Sequence, residues 1–144
     1  MAHFAKLDAN GIVEQVIVVA NQDTADSSGA ETESIGVAFC QKLMGADTNW
    51  KQTSYNDTFR GNYAGIGYTY MTGQATLGVA STDIFIAQKP HPSWTVGVNT
   101  AQWFPPDDAP DAPVLTDDER AAGKNYEWNE VAYQSDPATA WVLT

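Results

Sequence analysis

The chain has 144 residues, 43% hydrophobic and 11% aromatic, with five Trp and six Tyr. That is the length of one domain, or of a domain with an arm, and it carries enough apolar material for an ordinary core. The formal net charge of -11, from 18 acidic and 7 basic residues, speaks against binding nucleic acid or an anionic membrane surface, and a single cysteine excludes both an intramolecular disulfide and a thiolate zinc cluster.

The opening Met1–Lys6 lacks the basic and long apolar regions of a signal peptide, and no stretch approaches the ~18 apolar residues of a membrane span. Synthesis and folding in a cytoplasm are therefore expected. Residues 2–20 predict a β-hairpin: His3–Leu7 alternates, Asp8-Ala9-Asn10-Gly11 supplies the turn, and the β-branched run Ile12–Val19 returns. Residues 21–30 predict a polar loop, ending in Ser28 and Glu31 at capping-box spacing. Ile35, Phe39 and Leu43 then recur every four residues and predict a helix over about 31–44, with Cys40 on its buried face, Lys42 near its negative end and Gly45 closing it.

From Trp50 the pattern is β again. Trp50–Tyr55 alternates and Asn56-Asp57 reads as a turn. Tyr63–Tyr70 alternates small and large residues, with Gly65 and Gly67 on one face. Residues 72–82 read as a Gly/Ser/Thr-rich loop, and Asp83–Ala87 as a strand that Pro90 and Pro92 prevent from continuing.

The C-terminal third contains two units of aromatic strand, turn and aromatic strand. The first joins Ser93-Trp94-Thr95-Val96 to Ala101-Gln102-Trp103-Phe104 through Gly97–Thr100. The second joins Tyr126-Glu127-Trp128-Asn129 to Thr139-Ala140-Trp141-Val142 through a polar bend. Two Trp facing across such a ribbon gain about 0.5–1.5 kcal/mol beyond their burial. Between the units, Pro105–Pro113 holds four prolines and three aspartates and predicts a stiff, extended linker. Thr116–Ala122 predicts a helical turn or two before Gly123. The fold class expected is α+β: a β-rich antiparallel body over 1–104 with one helix, then an arm over 105–144 ending in a Trp hairpin.

No set of residues assembles a reaction centre. The two histidines are His3, in the first strand, and His91, between two prolines; neither has a nucleophile beside it in sequence, and no G-x-S-x-G occurs. The carboxylates cluster in loops, where a solvated face is their ordinary reading. Asp107, Asp108 and Asp111 are the candidates for a calcium ion, which takes six to eight oxygens, although the spacing is not that of an EF-hand loop. Gly65-Ile66-Gly67 lacks the helix that a dinucleotide site needs, and no cofactor is expected. Trp94, Trp103, Trp128 and Trp141 could form a platform for sugar rings; packing across the hairpins is the simpler reading. With Tyr126 they are the candidate partner-binding residues.

Several segments carry a resemblance. Ala20–Thr24, Gly36–Cys40, Trp50–Asn56, Arg60–Gly67, Pro90–Trp94 and Tyr126–Glu130 with Trp141 look like those of small virion-associated structural proteins of tailed phages that infect marine bacteria and cyanobacteria. The resemblance covers most of the chain and is most specific over Trp50–Gly67; Met71–Thr82 is longer here than in that family. It implies a non-enzymatic structural accessory of the virion, made in the host cytoplasm, decorating or cementing the capsid. Its partners would be other virion proteins, capsid or tail subunits, and it would be a homo-oligomer. The competing expectation is a tail-fibre or spike module that binds a host surface glycan.

Overall fold

The computed structural model describes residues 1–72, 83–97 and 100–144. The loop expected beyond Thr72, and Val98 and Asn99 of the expected turn, lie outside the described residues. The fold is α+β, and its strand pairings with a defined register are antiparallel. The chain forms two compact units, Met1–Gln88 with Val96–Gln102, and Lys89–Thr95 with Trp103–Thr144. A division at residue 104 was expected; instead Lys89–Thr95 belongs with the C-terminal residues. Two short strands, β6 (Thr95–Val96) and β7 (Trp103–Phe104), pair with each other.

The N-terminal unit is built on a three-stranded sheet in the order β2-β1-β3, from β1 (Ala2–Leu7), β2 (Val13–Val19) and β3 (Asn49–Thr53). The β1–β2 turn is held by Asp8, whose Oδ1 accepts from the N–H groups of Asn10 and Ile12 at 2.8 and 2.9 Å. Only Gly11, at φ 79°, takes the left-handed backbone there, which its missing Cβ permits without strain. Strand alternation sends Ala2 and Phe4 to one face and Ala5 and Leu7 to the other, and both faces are covered. Ala2 and Phe4 pack with Val19, Cys40 and Trp50. Ala5 and Leu7 pack with Val13, Ala64 and Phe85.

The first face lies under α1 (Glu33–Met44). The helix was expected to bury Ile35, Phe39 and Leu43; Phe39 packs partly buried against the core, but the buried residues are Gly36 and Cys40, and Leu43 is 62% exposed. The cause is the ring of Phe4: a Cβ on Gly36 would sit 2.1 Å from its Cζ. Two small residues one turn apart let the helix settle onto the aromatic ring, and this rotates Leu43 away from the sheet. The expected Ser28–Glu31 cap does not form. Ser28 donates instead through its N–H and Oγ to Asp26, and Thr32 is the N-cap, its hydroxyl donating back to Ala30 O rather than capping the helix. Glu31 accepts from Gln52 Nε2 at 3.0 Å. Cys40 is fully buried, and burial pushes its thiol up to about 11.

The second face is covered by β4 (Thr69–Thr72), β5 (Asp83–Ile86) and the turns before β4. The strand expected from Tyr63 starts only at Thr69. Gly67 has φ 88° and Tyr68 N–H closes back on Gly65 O at 3.0 Å, so the alternating Tyr/Gly run is a turn.

Arg60 joins three segments of this unit. Its Nη1 donates to Glu33 Oε1 at 2.5 Å and to Gln52 O at 2.9 Å, and its Nε donates to Asp83 Oδ2 at 2.8 Å. Asp83 also accepts from the hydroxyl of Tyr70. Burial raises the Glu33 carboxyl, but the hydrogen bonds from Arg60 and Gln52 outweigh it and hold the group below the usual carboxylate range. Tyr70 is pushed up to about 12, by burial first and then by its bond to Asp83.

Gly36→Ala should cost roughly 1–3 kcal/mol of unfolding free energy, because an overpacked Phe4 must leave its rotamer; urea melts measure this. A carboxyl held low contributes stability above its unfolded-state value and loses it as pH falls through its folded value, so the wild type should weaken below about pH 4 and Glu33→Gln should weaken less over that range. Tyr70 acts in the opposite sense, with stability lost as pH rises from about 10 toward 12. Denaturant melts across both ranges test these signs.

Candidate functional site

The aromatic residues singled out in the sequence gather in the C-terminal unit. Its frame is a ribbon of β8 (Tyr126–Trp128) and β9 (Trp141–Leu143), in register Tyr126↔Leu143, Glu127↔Val142 and Trp128↔Trp141. The N–H of Asn125 and the N–H of Thr144 exchange bonds with each other's carbonyls, and Asn129 N–H donates to Ala140 O. Trp128 and Trp141 are therefore a non-hydrogen-bonded pair, the position where opposing side chains come closest. The expected pairing of these two indoles across a ribbon is present, with ring centroids 5.4 Å apart at 82°.

The link expected to be a bend is ordered. It holds α3 (Glu130–Ser135), capped by Asn129 Oδ1 accepting from Ala132 N–H at 2.9 Å. A 3-10 turn, Pro137–Thr139, follows, with Asp136 accepting from Ala138 N–H. This returns the chain to β9 with Ala140 fully buried. Upstream, α2 (Asp117–Ala121) starts in a capping box in which Thr116 and Glu119 satisfy each other's backbone N–H groups.

Trp128 is the hub. Trp94 meets it edge-on at 5.7 Å and 87°, Tyr133 lies 5.0 Å away, and His91 lies 6.2 Å away. Trp94 also contacts Trp141 at 6.4 Å and His91 at 5.3 Å. Edge-to-face contacts place the positive ring edge on the negative face, which makes such a set cohesive. The polar rims are largely tied down. Trp128 Nε1 and Ser93 Oγ both donate to Glu130 Oε2 at 2.8 Å. Trp141 Nε1 donates to Pro110 O at 2.9 Å, and Tyr133 donates to Asp108 Oδ1 at 2.9 Å. Burial raises Glu130, but the hydrogen bonds from Trp128, Ser93 and Gln134 prevail and hold it below the usual range. Trp94 Nε1 is buried with no partner among the described residues, a state that typically costs about 1–3 kcal/mol.

This placement changes the reading of the candidate residues. Trp128 is a core residue at 7% exposure, so it braces its own unit and is not a free anchor. Trp94 packs on Trp128 and Trp141, and Trp103 has Lys89 Nζ 5.6 Å from its ring centroid. Tyr126 is half-buried opposite Leu143. The proline segment is no free tether, because Trp141 and Tyr133 bind it at Pro110 and Asp108. His91 is half-buried against two indoles. Asp107, Asp108 and Asp111 do not converge; among the described residues no three His, Cys, Asp or Glu side chains form a metal-holding group. His91, Ser93, Tyr133 and Glu130 were not singled out for this cluster. Trp128-x-Glu130 was a usable signal, since an indole N–H needs an acceptor when buried.

Outside the cluster, an open polar hollow is bordered by Lys6, Asp8, Glu14 and Asp47. Lys6 pairs with Glu14 at 3.5 Å and Asp8 is spent on its turn. Among the described residues no helix is long and apolar enough to cross a membrane.

Trp128→Ala should cost the C-terminal unit roughly 3–5 kcal/mol, the range for truncating a buried large aromatic. It should also weaken the near-ultraviolet circular dichroism of the edge-to-face indoles. Trp141→Phe should retain most of the ring packing, and its loss should be within about 0.5–1.5 kcal/mol, that of one net hydrogen bond, here to Pro110.

Comparison with protein-family models, with curated proteins and with solved structures gives no match to this chain.

Proposed function

We propose that the protein is a non-catalytic accessory subunit of a tailed-phage particle, decorating or cementing the capsid and binding neighbouring subunits through its C-terminal unit. The observation that carries this reading is the combination of a small, internally braced aromatic core with apolar side chains left outside it. Trp128 and Ala140 are buried, while Val131 is 78% exposed, Val114 87% and Phe104 43%, with Val142 and Leu143 each at 38%. A rigid knob with an apolar rim loses little conformational freedom when a partner covers it, and this favours association. The acidic charge keeps many copies soluble at high local density. The segmental resemblance described above points to the same class of protein; Arg60 is paired with Glu33 and Asp83, and Glu130 accepts from Trp128, Ser93 and Gln134.

The competing glycan-binding reading needs flat aromatic faces open to a sugar ring. Trp94, Trp128 and Trp141 turn edge-to-face onto one another, which favours bracing over stacking on a ligand.

Purified virions should contain tens to hundreds of copies of the chain by gel densitometry. Capsids stripped of it should rebind wild type, and Val131→Lys with Leu143→Lys should weaken rebinding at least tenfold with an unchanged dichroism spectrum. A few copies per particle, together with retention of the purified chain on host envelope, would instead place it among receptor-binding modules.

A further inference from the structure

The two edges of the N-terminal sheet are treated differently. At β3 the outward backbone of Gln52 is occupied: its N–H donates to Glu33 Oε1 at 2.9 Å and its carbonyl accepts from Arg60 Nη1 at 2.9 Å. An ion pair thus stands where a neighbouring strand would lie. Gln52 sits opposite Phe4, and Phe4 sits opposite Ile17. Because Gln52 bonds outward, Phe4 must direct its N–H and carbonyl to Ile17. Gln15, Ile17 and Val19 therefore bond inward, and Val16 and Val18 turn their backbone groups away from the sheet.

Those groups are open. Farther along the same edge, Val13 exchanges bonds with Tyr68 and Gly67, but the outward N–H and carbonyl of Val16 and Val18 have no partner among the described residues. Helix α1 packs over β1 and β3, and Val18 is 54% exposed. Val16-Ile17-Val18-Val19 contains no proline, lysine or bulge, the usual devices that blunt an edge.

We propose that this edge pairs with the same edge of a second copy, β2 antiparallel to β2, about a two-fold axis through Ile17. The backbone pattern selects this occupant. Around Ile17, Val16 of each copy meets Val18 of the other, and every outward N–H finds a carbonyl. Glu14, the strand's one charge, lies at the irregularity in the β1–β2 register, three residues from the two-fold axis, so it does not face itself. Val16 and Val18 pair across the seam as β-branched neighbours, which suit a pleated surface. The result is one continuous six-stranded sheet with an isologous interface. This inference stands on the N-terminal unit and does not depend on the role proposed for the C-terminal one.

Sedimentation velocity of the full-length chain at physiological salt, where screening moderates repulsion between the acidic copies, should give the mass of two chains at micromolar concentration. Val18→Pro removes one outward N–H at an edge position where proline is tolerated, and should give single chains with an unchanged far-ultraviolet spectrum. Val18→Lys should do the same. Ile17→Cys should form a disulfide-linked dimer under mild oxidation, because facing residues of a non-hydrogen-bonded pair lie within disulfide reach, while buried Cys40 stays reduced. A wild type that remains a single chain, an assembly that survives both Val18 substitutions, or an Ile17→Cys protein that assembles without cross-linking would each overturn the proposal.

Discussion

The N-terminal unit depends on the contact between the ring of Phe4 and the bare Cα of Gly36. Phe4 lies on the central strand, so its position is fixed from both sides by β2 and β3. Gly36 lies one turn before Cys40 on the only long helix among the described residues. The aromatic ring fills the space a side chain on the helix would take, and the helix axis is thereby set close to the sheet. Close approach also brings Glu33, at the start of the helix, within reach of β3 and Arg60. The polar closure of one sheet edge is thus a consequence of apolar packing at its centre.

The C-terminal unit solves a different problem with different means. It has few residues to bury, and short elements that would not persist alone. Its cohesion comes from large rings that supply much contact area per residue, and from caps at Asn129, Asp136 and Thr116 that satisfy helix ends locally. Pro110 and Asp108 add the proline segment to the same framework. The unpartnered indole nitrogen of Trp94 is the one buried polar side-chain atom among the described residues that this scheme leaves out.

Much of this was legible in the sequence, for identifiable reasons. The first hairpin was readable because Asp8–Gly11 combines a side-chain acceptor with a residue able to take positive φ, between runs of β-branched residues. The pairing of Trp128 with Trp141 was readable because each sits in a short aromatic strand. The helix was located, and its buried face was read in part: Phe39 and Cys40 pack inward, but hydrophobic periodicity also favours Leu43, while the shape of Phe4 demands Gly36. The Tyr63–Tyr70 run alternates like a strand, yet Gly67 bends it, and alternation alone carries no information about backbone sign. The joining of Trp94 and His91 to the far hairpin was not legible, because it pairs segments more than thirty residues apart with no charge or spacing to link them.

Cys40 makes the helix–sheet layer observable in isolation. The thiol is the only one in the chain, lies sealed beneath α1 and resists ionisation. A thiol-reactive dye can modify it only in molecules whose helix has lifted from the strands, so labelling speed becomes a clock for that opening. Labelling of Cys40 therefore times that opening alone, whereas indole emission reports on both units, because Trp50 packs in the same cluster as Cys40.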